Sequence, residues 1–286
     1  MKSLIQNINN GNISIIESEI PLPKENQVLV KTIKTLISTG TEKMLIDFGK
    51  SNIINKIHKN RDKVGKVIEK FKSSGLSDTY GLIEEKLNTP IQIGYSNIGI
   101  VEKSNCEEFK KGDKVVSNGF HSEYCVVEKN LCVKIPEKVN ENDALFSILA
   151  SISLNGIRKC KTQINENIVI YGFGLIGIIT ANLLENLGVN IIIIDNDENK
   201  RIVAEEYGYS FYNPKKDEIE NNIKKICGKH GADSIIICTY TKSNEPIIES
   251  LKIIRKKGKI IIIGICGLEL SRDLMYDSEV EIQVSK

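Results

Sequence analysis

A chain of 286 residues is longer than one ordinary hydrophobic core and suits two domains. Its 41% hydrophobic and 27% charged residues are typical of a soluble globular protein, and a formal net charge of +2 excludes a general attraction to nucleic acid or to acidic membranes. No stretch approaches the roughly 20 apolar residues of a bilayer span, and the first twelve residues lack the apolar run of a signal peptide. We therefore expect a cytoplasmic protein with a small-molecule substrate.

The seven cysteines are scattered and include no Cys-x-x-Cys pair. This odd set argues against a disulfide framework and against a zinc site built from residues close in sequence, whereas ligands brought together by folding stay open. We interpret the cysteines as core or surface thiols.

The first third of the chain has the alternating pattern of β-strands. An Asn-Asn-Gly-Asn turn at residues 9–12 separates two alternating runs, which predicts a hairpin, and residues 28–37 alternate apolar and polar positions. From 51 to 71, apolar residues recur at three- and four-residue spacing, which predicts an amphipathic helix, and a second short helix is expected at 79–87. The lysines opposite the apolar stripe are interpreted as a solvated face. Strands return after residue 90.

Near Asn155 the pattern changes to strands that alternate with helices, which indicates βαβ units and a parallel sheet. We therefore predict a β domain over 1–155, with a helical insertion at about 46–89, and a dinucleotide-binding domain over 156–286. Within the second domain, strands are predicted at 232–239, 258–265 and 280–285, with a helix over about 244–255.

The segment IVIYGFGLIG, residues 168–177, joins a buried-strand pattern to glycines in the spacing G-x-G-x-x-G, and a helical run follows. In such a loop, Gly172 allows the tight turn and Gly174 lets the backbone approach a pyrophosphate. Gly177 lets the helix pack close to the strand. The segment therefore predicts a phosphate cradle at the start of a helix.

A second apolar strand ends in Asp195, at the position where an acidic residue is expected to bind the ribose hydroxyls. The carboxylate would repel the 2′-phosphate of NADP, which favours NAD, whereas Lys200 and Arg201 could offset part of that repulsion and leave NADP open. The candidate cofactor-binding residues are Gly172, Phe173, Gly174, Leu175, Ile176, Gly177, Asp195, Thr239 and Gly264.

The β-rich half carries a series of further motifs. In chain order they are TGTEK (39–43), PIQIGYSNIGIV (90–101), GDKV (112–115), FHSEYCVV (120–127) and VKIPEKV (133–139), followed by the glycine loop. This ordered set resembles the medium-chain dehydrogenase/reductase superfamily over nearly the whole chain. The resemblance implies an α/β fold with a GroES-like β domain followed by a Rossmann doubly wound parallel sheet, and an NAD(P)-dependent oxidoreductase that acts on a carbonyl or alcohol.

The zinc-type members of this superfamily bind the metal with a cysteine of the first motif and a histidine of the second. Thr39 and Tyr95 occupy these positions here, and neither a threonine nor a Tyr-Ser pair can replace such ligands. The cysteine-rich lobe of a structural zinc site is also missing from the sequence. We therefore expect a zinc-independent enzyme with no metal ligands.

Without zinc, a reductase has to polarise its carbonyl with hydrogen bonds and supply a proton from a side chain or water. The resemblance suggests three catalytic candidates: Thr41 at the position of the family's proton relay, Tyr95 at the lost metal ligand, and His121 on a segment near the cleft. Each also has a structural interpretation, as a turn residue, a space-filling aromatic and a hydrogen-bonded core or surface histidine. Glu42 is expected to have a structural or supporting role, by analogy with the family's aspartate.

The motifs GTEK, GYSNIG and TKSNEPI also resemble the first half of bacterial bi-domain oxidoreductases, in which a zinc-free unit precedes a Gfo/Idh/MocA-type domain. That resemblance implies sugar-like substrates from surface-polysaccharide biosynthesis. Because the chain ends at Lys286, we expect a fragment or a shortened relative, either homodimeric or associated with a Gfo/Idh/MocA-type domain. The alternative is a non-catalytic dinucleotide-binding module or partner subunit.

Overall fold

The computed structural model describes residues 1–7, 11–38, 40, 42, 90–270 and 272–285. They fall into two compact units, Met1–Ile148 and Leu149–Lys286. The two helices predicted at 51–71 and 79–87, and with them the predicted insertion at 46–89, lie outside the described residues. The junction predicted near Asn155 lies inside a helix that begins at Ser147.

The first unit is built from two antiparallel sheets, with strand orders β2-β1-β4 and β7-β3-β5-β6-β8. Its strands are β1 (Lys2–Gln6), β2 (Ile13–Glu17), β3 (Gln27–Thr35), β4 (Ile91–Gln92), β5 (Asn97–Ser104), β6 (Lys114–Ser117), β7 (Tyr124–Glu128) and β8 (Cys132–Lys134); a 3₁₀ turn (Lys129–Leu131) precedes β8, and a short helix, α1 (Glu141–Ala144), follows it. The predicted hairpin is present, since β1 and β2 pair in antiparallel register from Lys2 opposite Glu17 to Gln6 opposite Ile13.

The larger sheet of this unit buries a small aliphatic core. Its fully buried members include Val28, Val30, Val101 and Val115, all of which lie on strands of that sheet. Cys125 and Cys132 pack in the same core, and burial raises the pKa of the Cys132 thiol to about 12. All seven cysteines are free thiols, as the scattered spacing suggested.

The second unit is a six-stranded parallel sheet with helices, in strand order β11-β10-β9-β12-β13-β14. Its strands are β9 (Asn167–Tyr171), β10 (Asn190–Ile194), β11 (Ser210–Tyr212), β12 (Ala232–Ile237), β13 (Ile254–Ile262) and β14 (Glu281–Val284). Its helices are α2 (Ser147–Cys160), α3 (Leu175–Glu185), α4 (Lys200–Glu206), α5 (Ile219–Cys227), α6 (Glu245–Ile253) and α7 (Arg272–Ser278).

The central strands of this sheet are runs of isoleucine and valine because both faces are buried. Successive residues of β9 alternate between two apolar clusters: Val169 packs in one, and Ile168 and Ile170 in the other. From β9 the chain adds β10 and then β11 towards one edge of the sheet. It then returns to place β12 on the other side of β9, and β13 and β14 extend the sheet to the opposite edge. This reversal places a crevice at the carboxyl ends of β9 and β12, where ligands bind in such sheets.

The predicted fold class, a GroES-like β domain followed by a Rossmann domain, is confirmed. The predicted last strand is also present, as β14 at the edge of the parallel sheet. Within the described ranges, none of the helices has both the length and the apolar character that crossing a bilayer requires.

The glycine in the first turn of α3, Gly177, is under a tight steric constraint. A Cβ on Gly177 would lie 2.1 Å from the carbonyl oxygen of Gly172, so the helix would have to move away from β9. We expect Gly177→Ala to lower the free energy of unfolding by about 2 to 3 kcal/mol, measured by urea denaturation. Gly174→Ala is the control, because a Cβ there meets nothing within 4 Å. The control should cost less than about 1 kcal/mol, and equal losses would contradict this account.

Candidate functional site

The loop that follows β9 is held in a tight turn by a glycine. Gly172 has a φ of +100°, and a Cβ on it would lie 2.8 Å from the backbone nitrogen of Thr239. Its own N–H donates to the carbonyl oxygen of Ile194, at the end of β10, over 2.7 Å. The turn is therefore fixed against the ends of two neighbouring strands, and only glycine fits both its backbone conformation and its surroundings.

The helix that follows presents its N-terminus beside this turn. Gly174 caps α3, and a Cβ on it would enter open space. The first N–H groups of a helix have no partner within it, and they carry the positive end of the helix dipole. Leu175 and Ile176 supply the first of these groups. The arrangement can receive a phosphate, because the backbone donors are accessible where a side chain would otherwise stand.

Asp195 directly follows β10 and is only 5% exposed. Its carboxylate accepts hydrogen bonds from the backbone N–H of Phe173 (2.6 Å), the backbone N–H of Asp197 (2.9 Å) and Nζ of Lys200 (2.8 Å). A carboxylate offers about four lone-pair sites, so one remains for a further donor such as a ribose hydroxyl. Asp195 therefore also fastens the glycine loop to β10, a role that sequence reasoning missed.

The two basic residues after Asp195 have different partners. Lys200 is paired with that carboxylate, whereas Arg201 forms ion pairs with Glu198 and Asp217 and lies 4.8 Å from the ring centre of Phe211. The bonds that Arg201 and Asn213 donate lower the pKa of Glu198 to about 2. Of the two cations that could offset repulsion of a 2′-phosphate, only Lys200 contacts Asp195.

Thr239 and Gly264 lie at the same edge of the sheet. A Cβ on Gly264 would lie 2.1 Å from the carbonyl oxygen of Thr239, whose backbone nitrogen also adjoins Gly172. The structure thus brings together the predicted cofactor residues that follow β9, β10, β12 and β13. The closest approaches in this group are made by Gly172 and Gly264, which have no side chains. The crevice can therefore accommodate a dinucleotide close to the backbone.

His121, in the first unit, is the centre of a second group of polar side chains. Its Nδ1 lies 2.7 Å from Oγ1 of Thr35, and its Nε2 lies 3.2 Å from Oε1 of Glu42. Glu42 Oε1 also accepts the backbone N–H of Ser38 over 3.1 Å. The side chains of His121 and Glu42 are each 10% exposed. An imidazole with a hydroxyl on one nitrogen and a carboxylate on the other is equipped to hold and move a proton.

The backbone fixes where this imidazole lies. The N–H of His121 donates to the carbonyl oxygen of Ile93, and its own carbonyl oxygen accepts the N–H of Leu4, both over 2.8 Å. The ring packs on Gly94, where a Cβ would lie 2.9 Å from the imidazole Cγ. Sequence reasoning missed the contact between His121 and Thr35. The contact between the His121 ring and Gly94 could have been suspected, because a glycine in the GYSNIG motif leaves room for a neighbouring side chain.

A cleft of about 380 Å³ opens beside His121. Aliphatic residues (Leu4, Ile15 and Ile37) and polar residues (Thr35, Glu42 and His121) line it, together with Lys2 and Ser3. Apolar walls around a few convergent polar groups are typical of a small-molecule site.

Of the other two catalytic candidates, Tyr95 alone lies among the described residues. Tyr95 is half-buried and is not among the described residues that line the cleft. Thr41 lies outside the described residues. Among the described residues, His121 is therefore the candidate that lines the cleft.

Among the described residues beside this cleft, the available donors do not form a zinc site. Within the part of the chain that the structure describes, no three His, Cys, Asp or Glu side chains gather closely enough to hold a metal. Tyr95 offers a phenol where a zinc ligand would be a histidine, and Thr39 lies outside the described residues.

Comparison with known proteins gives related matches along the chain. Residues 176–285 match the family model described as zinc-binding dehydrogenase. An alcohol dehydrogenase from Geobacillus stearothermophilus is 21% identical over 258 residues, which is 76% of this chain and 75% of that protein. D-guloside 3-dehydrogenase from Escherichia coli K12 is 28% identical over 152 residues, 51% of this chain and 43% of that protein.

A solved structure of an alcohol dehydrogenase from Escherichia coli CFT073, complexed with NADH, has the same fold. Its TM-score is 0.77 at 20% identity, and the match covers 100% of this chain and 83% of that chain. The ordered motifs, the two-unit fold and these matches agree in supporting the medium-chain dehydrogenase/reductase superfamily for this chain.

Proposed function

We propose that this chain is a zinc-independent, NAD-preferring oxidoreductase that interconverts an alcohol and a carbonyl on a sugar-like substrate. The observation that carries the proposal is the imidazole of His121, which lies between a carboxylate and a hydroxyl beside an aliphatic cleft. Removing a hydride from an alcohol also requires removing a proton, and His121 is equipped to receive it.

In this proposal the dinucleotide is held by the second unit. The N-terminus of α3 at Gly174 binds the pyrophosphate, and the remaining lone pair of Asp195 binds a ribose hydroxyl. Thr239 and Gly264 border the same crevice. When bound, the nicotinamide accepts or supplies the hydride.

The walls of the cleft support a sugar-like substrate. The C–H surface of a sugar can pack on Leu4, Ile15 and Ile37, while its hydroxyls meet the polar groups of the cleft. The name of D-guloside 3-dehydrogenase, which is similar to half of this chain, supports the same class. The resemblance of GYSNIG and TKSNEPI to bi-domain oxidoreductases points the same way.

Two further residues are proposed to assist. Tyr95 stands where the related enzymes have a metal-binding histidine, and its phenol could donate a hydrogen bond to a carbonyl oxygen. Thr41 matches the family's proton-relay residue. Both proposals rest on the motifs rather than on contacts of these side chains.

NADH should bind about tenfold more tightly than NADPH, as measured by calorimetry on the full chain. The reason is that a 2′-phosphate would lie beside Asp195, whose charge Lys200 offsets only in part. Lys200→Ala should widen the difference, because it removes the cation that pairs with the carboxylate. Tighter binding of NADPH would contradict the assignment of Asp195.

The same titration tests the phosphate cradle through Gly174→Val. The valine side chain would occupy the open space at the start of α3 and should abolish binding of both dinucleotides. A folded Gly174→Val protein that still binds NADH would mean that the pyrophosphate lies elsewhere.

The purified protein should carry no stoichiometric zinc. Thr39 and Tyr95 replace the expected ligands, and neither supplies the thiolate or imidazole that zinc prefers. Elemental analysis after dialysis against a chelator measures this directly. A retained content of about one zinc per chain would overturn the alignment of these motifs.

Tyr95→Phe should lower kcat on the order of a hundredfold and leave NAD binding unchanged, because it removes one donor to the substrate oxygen. The assay follows NADH formation with a panel of sugar alcohols and methyl glycosides. Full activity of Tyr95→Phe would assign the phenol a space-filling role. If the wild-type protein oxidises none of these compounds, a non-catalytic dinucleotide-binding module becomes the better interpretation.

A further inference from the structure

We infer that Thr35, His121 and Glu42 form a proton relay in which the Thr35 hydroxyl exchanges the proton with the substrate and Glu42 positions the imidazole. This inference rests on the proposed oxidoreductase function and names the groups that carry its proton. Thr35 belongs to no motif that pointed to catalysis.

The hydrogen-bond partners of His121 decide where its proton lies. A carboxylate can only accept, and Glu42 Oε1 already accepts the N–H of Ser38. The bond between Glu42 and Nε2 therefore requires the imidazole hydrogen on Nε2. In the neutral ring, Nδ1 is then an acceptor, and the Thr35 hydroxyl has to donate to it over 2.7 Å. The two hydrogen bonds therefore run from the Thr35 O–H to Nδ1, and from Nε2–H to Glu42.

Burial decides which of these groups can meet a substrate. The side chains of His121 and Glu42 are each 10% exposed, and both ring nitrogens are engaged. Thr35 is half-buried and lines the cleft. After donating its hydrogen to Nδ1, the Thr35 oxygen still has lone pairs to accept a bond from a substrate hydroxyl. Within the described residues, a substrate alcohol thus reaches the imidazole through Thr35.

The step balances as an alcohol oxidation. The substrate C–H bond breaks, and bound NAD⁺ would supply the acceptor for its hydride. The substrate O–H bond breaks as well, and its proton goes to the Thr35 oxygen while the proton of Thr35 moves to Nδ1 of His121. A C=O bond forms. The resulting imidazolium is stabilised by the negative charge of Glu42. Lys2, which also lines the cleft, is a cation and cannot stabilise it. Reduction of a carbonyl is the reverse.

The first test reads the tautomer of His121 without any turnover. In the ¹⁵N-histidine-labelled full chain, the neutral His121 ring should carry its hydrogen on Nε2, with Nδ1 as an acceptor; His121→Asn assigns the signal among the three histidines. Thr35→Val should move the Nδ1 resonance, and Glu42→Gln should move that of Nε2. A neutral ring with its hydrogen on Nδ1 would overturn the relay, whether or not a substrate is known.

The second test is kinetic and uses sugar alcohols and methyl glycosides with NAD⁺. Thr35→Val, which is nearly isosteric, should lower kcat about a hundredfold with NAD binding unchanged, and Thr35→Ser should restore most of the rate. Thr32→Val is the matched control on β3, because its hydroxyl accepts from Asn97 Nδ2 over 2.7 Å and has no contact with His121 among the described residues. Thr32→Val should keep the rate of the wild type.

The outcomes separate the relay from the proposed function. If the wild type is active and Thr35→Val is equally active, the relay is wrong while the oxidoreductase function stands. If the wild type oxidises none of the probes, the proposed function fails, and the tautomer still decides whether the hydrogen-bonded chain has the inferred direction.

Discussion

The hydrogen bond from the Phe173 N–H to the Asp195 carboxylate is the interaction on which the second unit's site depends. It ties the loop after β9 to the end of β10, and the bond from Gly172 to Ile194 does the same one residue earlier. With the loop held in this way, Gly177 can begin a helix in contact with the loop backbone, and the helix N-terminus faces open space. A buried carboxylate and three residues without side chains therefore shape the crevice. The carboxylate is stable there because three hydrogen-bond donors, one of them the charged Lys200, compensate its burial.

In the first unit, the polar group around His121 depends on two hydrogen bonds of the His121 backbone. Its two bonds, to Ile93 and Leu4, hold it between segments that are far apart in sequence, and Gly94 leaves the space that its ring occupies. Thr35 and Glu42 lie 86 and 79 residues away along the chain. Their meeting at one imidazole is a product of the sheets rather than of any local motif. The aliphatic cleft beside them is formed in the same way, since Leu4 and Ile15 are register partners on β1 and β2.

In the proposed function, each unit would supply different chemical groups. The second unit supplies backbone donors and a partly neutralised carboxylate, which suit a nucleotide. The first unit supplies an imidazole with a carboxylate and a hydroxyl, which suit proton transfer. Of the two basic residues after β10, Lys200 pairs with Asp195, while Arg201 is held by Glu198, Asp217 and the Phe211 ring.

The sequence by itself determined the glycine spacing of the predicted cofactor loop, the acidic residue after the second strand, the hairpin of β1 and β2, and strands β9, β10, β12, β13 and β14 of the parallel sheet. It did not predict β11 or the helices α4, α5 and α7. The predicted features are local: periodicity reports which residues are buried, and glycine is favoured where φ is positive or the backbone approaches closely. Only the tertiary structure decided which side chains meet His121, which cation pairs with Asp195, and that Asp195 holds the loop as well as facing the crevice. Those contacts depend on strand register and on bonds between residues distant in sequence, and no local pattern encodes a partner across a sheet.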